Sequence, residues 1–505
     1  MQPEQLIQPL DEHNLRHLGN VHPPGHVNPK PKDRYHLVVL GAGTGGLVTA
    51  AAGAALGAKV ALIERHLMGG DCLNVGCVPS KGIISASRAW SQVKRASETF
   101  GAPRADGKGD FAAAMRRMRR LRADLSPIDS VQRFRGLGVD VFLGSGRLVS
   151  PDVIDVGGAR LNFRRAVIAT GGRPALLPIP GMAEAEPLTS ETVFWLEDLP
   201  ARLIVCGAGP IGCEMAQTFA RFGSRVTLLN RSPRILPKED CDAAALVETA
   251  MRRDGVEMVL GLKYLSVERR GKESVVHFER DGRSESVAAD RLLVATGRTP
   301  NAEGIGLEQA GIAFGPKGVR VDDHLRTTNA RVYAVGDVCS PHQFTHAADA
   351  HARLVVGNAL FFQRGRASRL VMPWCTFTSP EVAHVGMYEK DAVAAGHQAD
   401  TITWSIEDLD RAVLDGTNHG FVRVHLKKGT DRILGATIVA DHAGDLIGEL
   451  TLAVTAGVGL GTIGKTIHPY PTQGEMTRKI ADAWNRRKLT PFAKRIFAIF
   501  LRIFR

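Results

Sequence analysis

Aromatic residues are scarce, at 6% of a 505-residue chain. That argues against a base-stacking platform, and no nucleic-acid partner is expected. Cysteine is scarcer still: there are seven, an odd number. A secreted scaffold stapled by disulfides would carry more, so a reducing compartment with reactive rather than structural cysteines is indicated. The longest apolar stretch, Leu47 to Ala58, is rich in glycine and alanine and too short to span a bilayer. Residues 1–34 are polar, rich in His, Pro and Asn, and lack the apolar segment of a secretory leader. The chain therefore reads as soluble and cytoplasmic.

Glycine, in contrast, is abundant, with 54 residues and no collagen period. This points to tight turns and close backbone approaches to ligands. Hydrophobic residues at 44% and charged residues at 23% describe a globular chain, long enough for about three domains at ~150 residues each. The net charge of +12 suits an anionic cofactor, an acidic partner or a membrane surface without choosing among them.

After the polar extension, Tyr35 to Leu40 form a short apolar run that stops at Gly41. Gly41-Ala42-Gly43-Thr44-Gly45-Gly46 then leads into an alanine-rich helix and a second strand, Lys59 to Ile63, ending at Glu64. This is a βαβ unit with G-x-G-x-x-G at its first turn and an acidic residue about 20 positions on, the pattern of a dinucleotide site. Gly41, Gly43 and Gly46 let the backbone approach a pyrophosphate at the helix N-terminus, where free N–H groups and the helix dipole favour anions. Glu64 can accept hydrogen bonds from a ribose.

The pattern recurs. Arg202 to Cys206 lead into Gly207-Ala208-Gly209-Pro210-Ile211-Gly212, a helix, and Arg225 to Leu229. One such motif is a weak signal; two with matching surroundings are strong. The second copy ends in Asn230, followed by Arg231 and Arg234. A carboxylate there would repel a 2′-phosphate, whereas Arg231 beside a neutral Asn230 suits NADPH, with NADH as the alternative. The rival reading of Arg231 is a solvated loop charge. Beyond residue 371 the glycine turns end; alternating runs at 421–426 and 433–439 and a helical stretch at 443–458 indicate a third, α+β domain.

Cys72 and Cys77 have four residues between them and stand shortly after the first motif. A redox pair beside a dinucleotide site sits where electrons arrive. Metal binding is the rival reading, but a structural zinc site needs four ligands and no second pair has this spacing, so no metal site is expected.

With the stretch Gly69-Gly70-Asp71-Cys72-Leu73-Asn74-Val75-Gly76-Cys77-Val78-Pro79-Ser80-Lys81, the chain resembles the class I flavin- and pyridine-nucleotide-dependent disulfide oxidoreductases. Ala169-Thr170-Gly171, Ala295-Thr296-Gly297 and Val335-Gly336-Asp337 are similar to further family segments. Glu64 to Asp71 resemble the mercuric-reductase-like branch. The resemblance implies an α/β fold with two Rossmann-like domains, the second inserted in the first. FAD binding would fall to residues 35–190 and 298–370, NAD(P) binding to 191–297, and a C-terminal α+β dimerisation domain to 371–485. The polar extension, 1–34, and a basic amphipathic tail, 486–505, would flank these.

The resemblance further implies a homodimer that passes electrons from NADPH through FAD to a Cys72–Cys77 disulfide. From there they would go to a small-molecule, metal-ion or disulfide substrate. FAD would be held by Gly41, Gly43, Gly46, Glu64, Arg65, Gly70, Gly146, Thr170, Gly171, Asp337, Thr345 and His346. The nicotinamide dinucleotide would be held by Gly207, Gly209, Gly212, Asn230, Arg231 and Gly297. Lys81 would pair with Glu214 beside the flavin, serving both cofactor and chemistry. Cys77 would lie against the ring and Cys72 would face the substrate.

The C-terminal stretch Ile467-His468-Pro469-Tyr470-Pro471-Thr472-Gln473-Gly474-Glu475 departs from the His-Pro-Thr-x-x-Glu of the disulfide reductases. Counting back five from Glu475 gives Tyr470, a poor proton shuttle with a pKa near ~10 against ~6.5 for histidine. His468, two residues earlier, is the candidate substitute base, with the second, non-catalytic histidine of the family as the rival reading. A tyrosine there is similar to mercuric reductase, yet residues 485–505 lack that enzyme's vicinal cysteines. Dihydrolipoyl dehydrogenase is therefore the alternative, and a membrane-attached redox adaptor the alternative of another class. Residues 490–505 combine apolar and basic residues behind a Thr-Pro helix start, which suits either peripheral membrane contact or docking on the protein's own surface. Arg116, Arg117, Arg119, Arg120 and Arg122 read as a solvated helix face. Cys206, Cys213, Cys241, Cys339 and Cys375 read as buried.

Overall fold

A computed structural model describes residues 3–361 and 364–504. The chain divides into two compact units, one formed by Met1–Arg95, Arg104–Pro233 and Val256–Leu370, the other by Ala96–Pro103, Arg234–Gly255 and Val371–Arg505.

The first unit holds both glycine-turn motifs. Strand β1 (Tyr35–Leu40), rich in branched and aliphatic side chains, is flanked in parallel by β2 (Val60–Glu64) and by β3 (Ala159–Ile168). Its register places Leu40 against both Ile63 and Ile168. β2 is buried at every position, as a parallel strand covered on both faces should be. Helix α2 (Thr44–Ala55) springs from the first glycine turn. A second parallel sheet places β4 (Arg202–Cys206) between Arg225–Asn230 and Arg291–Val294, and α3 (Pro210–Phe222) leaves the second glycine turn.

The second unit is built on a five-stranded antiparallel sheet, ordered Pro373–Thr376, Glu381–Gly386, Ile433–Ala440, Phe421–Lys427, Ala399–Ser405. Ile438, Ile447 and Leu450 lie in its core, where the helix Ala443–Ala456 packs on the sheet.

The polar N-terminal extension is more than a tail. Helix α1 (Glu12–Val21) is capped by Asp11, whose side chain accepts from the Asn14 N–H. Ile7, Leu18 and Val21 are buried in one core cluster with Leu37 and Leu62, and each such side chain contributes about 1.5–3 kcal/mol. The arginine-rich segment also corrects its sequence reading. Arg116, Arg117 and Arg120 are exposed, but Arg119 and Arg122 are only 4% and 0% exposed. Charge count alone conceals that every third or fourth position of the helix Phe111–Leu125 faces inward. Cys206 and Cys213 are buried as expected, Cys339 and Cys375 only partly, and Cys241 is exposed.

Candidate active site

The first glycine turn shows why its residue types are required. A Cβ on Gly46 would lie 1.8 Å from the Gly41 carbonyl oxygen, and Gly41 itself adopts φ +106°. Only glycine permits that approach of helix to strand. The second turn repeats the distance: a Cβ on Gly212 would lie 1.8 Å from the Gly207 carbonyl oxygen. On the outward side nothing meets a Cβ on Gly209 within 4 Å, and only the Gly70 Cα, at 3.6 Å, meets one on Gly43. Open space at each helix N-terminus fits a pyrophosphate.

Glu64 is buried at the tip of β2. Its two oxygens accept N–H bonds from Ala42 at 2.7 Å and His66 at 2.8 Å. Burial pushes this carboxyl up, while the two N–H donors oppose the shift. Asn230 occupies the same place after the second glycine turn, where its Oδ1 accepts from the Ala208 N–H at 3.2 Å. The structural contact is thus kept without the charge. Arg231 is exposed beside it, whereas Arg234 is engaged with the carbonyls of Pro237 and Glu239.

Thr170 and Asn301 exchange two hydrogen bonds, at 2.7 and 3.0 Å, between the closing segment and the chain's return. Gly171 and Gly297 both have positive φ with no obstruction within 4 Å, and a Cβ on Gly146 would lie 2.6 Å from Leu40 Cδ1. Arg65 is exposed. Asp337 accepts from Arg298 Nε at 3.2 Å, and the same guanidinium pairs with Asp71. Burial pushes the Asp337 carboxyl up, against the pull of Arg298. Sequence reading missed Arg298 and Asp71. Their positions, directly after Gly297 and directly before Cys72, were the available signal.

Cys72 lies in the short helix Gly70–Asn74, and Cys77 opens the helix Cys77–Thr99. Both cysteines are free thiols, and each is the leading influence on the other's ionisation. Cys77 Sγ also lies 3.2 Å from the Thr345 hydroxyl. One turn on, Lys81 Nζ donates to Glu214 Oε2 at 2.9 Å. The Cys72 thiol, above all, and then Thr345 and Lys81 pull Cys77 down to about 6, against partial desolvation of the thiol and the Glu214 charge. A hydrogen bond to Cys77 and burial push Cys72 up. These opposite directions favour Cys77 over Cys72 as the thiolate of a reduced pair. His346, adjacent to Thr345, stacks on Phe344 with ring centroids 5.2 Å apart.

In the second unit, His468 Nε2 lies 3.1 Å from Glu449 Oε1 and its Nδ1 lies 3.0 Å from the Thr466 carbonyl. Tyr470 is exposed and donates to Asp410 Oδ2 at 2.9 Å, which raises its pKa. Glu475 is buried, with Arg478 Nη2 at 4.0 Å. His468, Tyr470 and Glu475 thus take three separate acidic or basic partners.

Residues 35–352 match the model of the pyridine nucleotide-disulphide oxidoreductases, and residues 372–481 match the dimerisation domain of the same family. The chain belongs to this family. It is 34% identical over 442 residues to a mercuric reductase of Bacillus cereus, covering 87% of this chain and 70% of the relative. It is 31% identical over 465 residues to a dihydrolipoyl dehydrogenase of Bacillus subtilis, covering 89% and 98%. Among solved structures, the HOCl-induced flavoprotein disulfide reductase RclA from Escherichia coli, as its Cu(II) complex, superimposes with TM-score 0.79 at 26% identity, covering 90% of this chain and 100% of that one. LpdA from Mycobacterium tuberculosis gives TM-score 0.80 at 27% identity, covering 89% and 99%. Family members are FAD-dependent and use NAD(P)H. The open helix N-termini and the polar groups of Glu64 and Asp337 fit these dinucleotides. The dimerisation domain supports a homodimer. Among the described residues, no helix is long and apolar enough to cross a membrane.

Proposed function

We propose that the protein carries electrons from NADPH to a soft metal ion of the Hg(II) type, or to a disulfide, through Cys72 and Cys77. One arrangement carries the reading: the Cys72 thiol, the Thr345 hydroxyl at 3.2 Å and the Lys81 charge favour the Cys77 thiolate, while Glu214, paired with Lys81, opposes it. FAD, when bound, supplies two-electron transfer between nicotinamide and thiols. Gly41, Gly43, Gly46, Glu64, Gly70, Thr170, Gly171 and Asp337 would hold it, with Arg65, Gly146 and His346 beside the same segments. Gly207, Gly209, Gly212 and Gly297 would hold the nicotinamide dinucleotide. Lys81 places a positive charge where electron density accumulates. Cys72 gives up its proton and acts on the substrate as thiolate.

The neutral Asn230 and the exposed Arg231 support NADPH over NADH. A second reading, dihydrolipoyl dehydrogenase, is favoured by the His468–Glu449 pair, which has the make-up of an acid–base dyad. Steady NADPH consumption with Hg(II), and none with NAD and dihydrolipoamide, supports the first reading; the reverse pattern establishes the second. For the C-terminal tail, the exposed apolar side chains of Pro491–Ile503 beside Lys494, Arg495 and Arg502 support contact with an anionic membrane surface.

A further inference from the structure

Asn74 closes the five-residue helix that carries Cys72. A helix this short has no stability of its own, so its position depends on what grips its ends. The Asn74 carboxamide nitrogen donates to the carbonyls of Met68 at 3.1 Å and Gly70 at 2.8 Å. Its oxygen must then be an acceptor, and the donor is His17 Nε2 at 2.6 Å. The Asn74 backbone oxygen receives Arg122 Nη1 at 2.6 Å. The grip on the end of the helix thus comes from the N-terminal extension and from the buried arginine behind it.

The extension is itself anchored. Arg119 Nε donates to Asp11 Oδ2 at 2.5 Å, and Arg122 Nη2 donates to Asn14 Oδ1 at 2.7 Å. The Met68 N–H donates to the Val21 carbonyl at 3.1 Å. His17 is fully buried, and among the described residues its Nδ1 has no partner. Burial, followed by the neighbouring Arg122 charge, pushes its pKa down to about 3. The neutral ring therefore carries its single proton on Nε2, where Asn74 needs it.

We propose that His17 is a positioning residue for the redox pair, holding Cys72 beside Cys77 through Asn74. The inference rests on the reading of Cys72 and Cys77 as the reacting pair. In the reduced pair the Cys72 thiol is the leading stabiliser of the Cys77 thiolate, so a loosened helix would weaken that bond first. Thr345, Lys81, Glu214 and Asp129 also face the pair and are untouched by a change at His17.

The test uses the reduced holoenzyme. The pH dependence of iodoacetamide incorporation is mapped onto Cys72 and Cys77 by mass spectrometry. His17→Ala should raise the first ionisation of the pair by about one pH unit, about a tenfold fall in the thiolate-to-thiol ratio at the wild-type midpoint. His17→Gln keeps an N–H donor and should restore the midpoint. His17→Phe fills the ring volume without a donor; it should match the alanine variant, and it serves if that variant fails to fold. A merely structural histidine would lower the melting temperature and leave the ionisation in place. Wild-type midpoints in both the Ala and Phe variants would overturn the proposal. If wild-type Cys77 itself shows no low ionisation, the assignment of the pair falls, and the positioning role with it.

Discussion

At the scale of single residues, the depressed Cys77 thiol sets an order of effects. Its leading stabiliser is the Cys72 thiol, ahead of Thr345 and Lys81. Cys72→Ala should therefore raise the Cys77 ionisation further than Lys81→Met does. Both can be read from the pH at which the long-wavelength charge-transfer absorbance, expected from a Cys77 thiolate against oxidised flavin, is half lost. In the wild type this loss should come as pH falls through about 6, because the acid below that pH protonates the anion. An equal or reversed order would show that the lysine charge, not the thiol–thiolate bond, governs the pair.

The buried histidines give a second pH signature. His17 and His384 are both fully buried and pushed down to about 3. The folded pKa lies below the unfolded value near ~6.5, so the unfolded chain takes up the proton first as pH falls. Stability is then flat above about pH 6.5 and declines toward pH 3, by up to about 1.4 kcal/mol per unit for each histidine. Urea midpoints across this range should show the slope, and His384→Gln should reduce it.

Among the elements, the helix Pro491–Ile503 stands out. Thr490 caps it by accepting from the Ala493 N–H at 3.2 Å. Phe492, Phe497, Ile499, Phe500, Leu501 and Ile503 are all more than half exposed. Removing residues 490–505 should abolish flotation with anionic liposomes and leave NADPH oxidation in solution unchanged. Flotation that survives the deletion would sink the membrane reading. At the end of the strand Arg225–Asn230, Arg231→Glu should shift preference from NADPH toward NADH by about tenfold or more, given ~1.5–3 kcal/mol for a hydrogen bond to a charged group. An unchanged ratio of the two specificity constants would make Arg231 a solvated charge.

At the scale of the whole molecule, a bound dinucleotide is part of the folded state. Stripping FAD should lower the melting temperature by several degrees, because ligand at 100 Kd contributes about 2.7 kcal/mol. Adding FAD back should restore it. The sheets around the glycine turns were legible in sequence because each turn has a local steric requirement: Gly41 and Gly46 meet within a few residues of one another. The clamp on Cys72 was not legible. His17 lies 57 residues from Asn74 and Arg122 lies 48 from it, so only the fold brings them together. The arginine cluster misled for a related reason, since Arg119 and Arg122 differ from Arg116 and Arg120 only in which side of one helix they occupy. The partners of His468 and Tyr470 were equally hidden, because Glu449 and Asp410 belong to other elements.

The matched turns at Glu64 and Asn230 also bear on how one chain keeps two dinucleotides apart. Both side chains hold the same backbone N–H, of Ala42 and Ala208, so the two cradles are near copies. Near copies invite cross-occupancy, with each ligand a competitor at the other's seat. An acid at one and an amide at the other would sort the ligands by the phosphorylation of their ribose. Exchanging these two side chains would then scramble the loading order without altering either sheet.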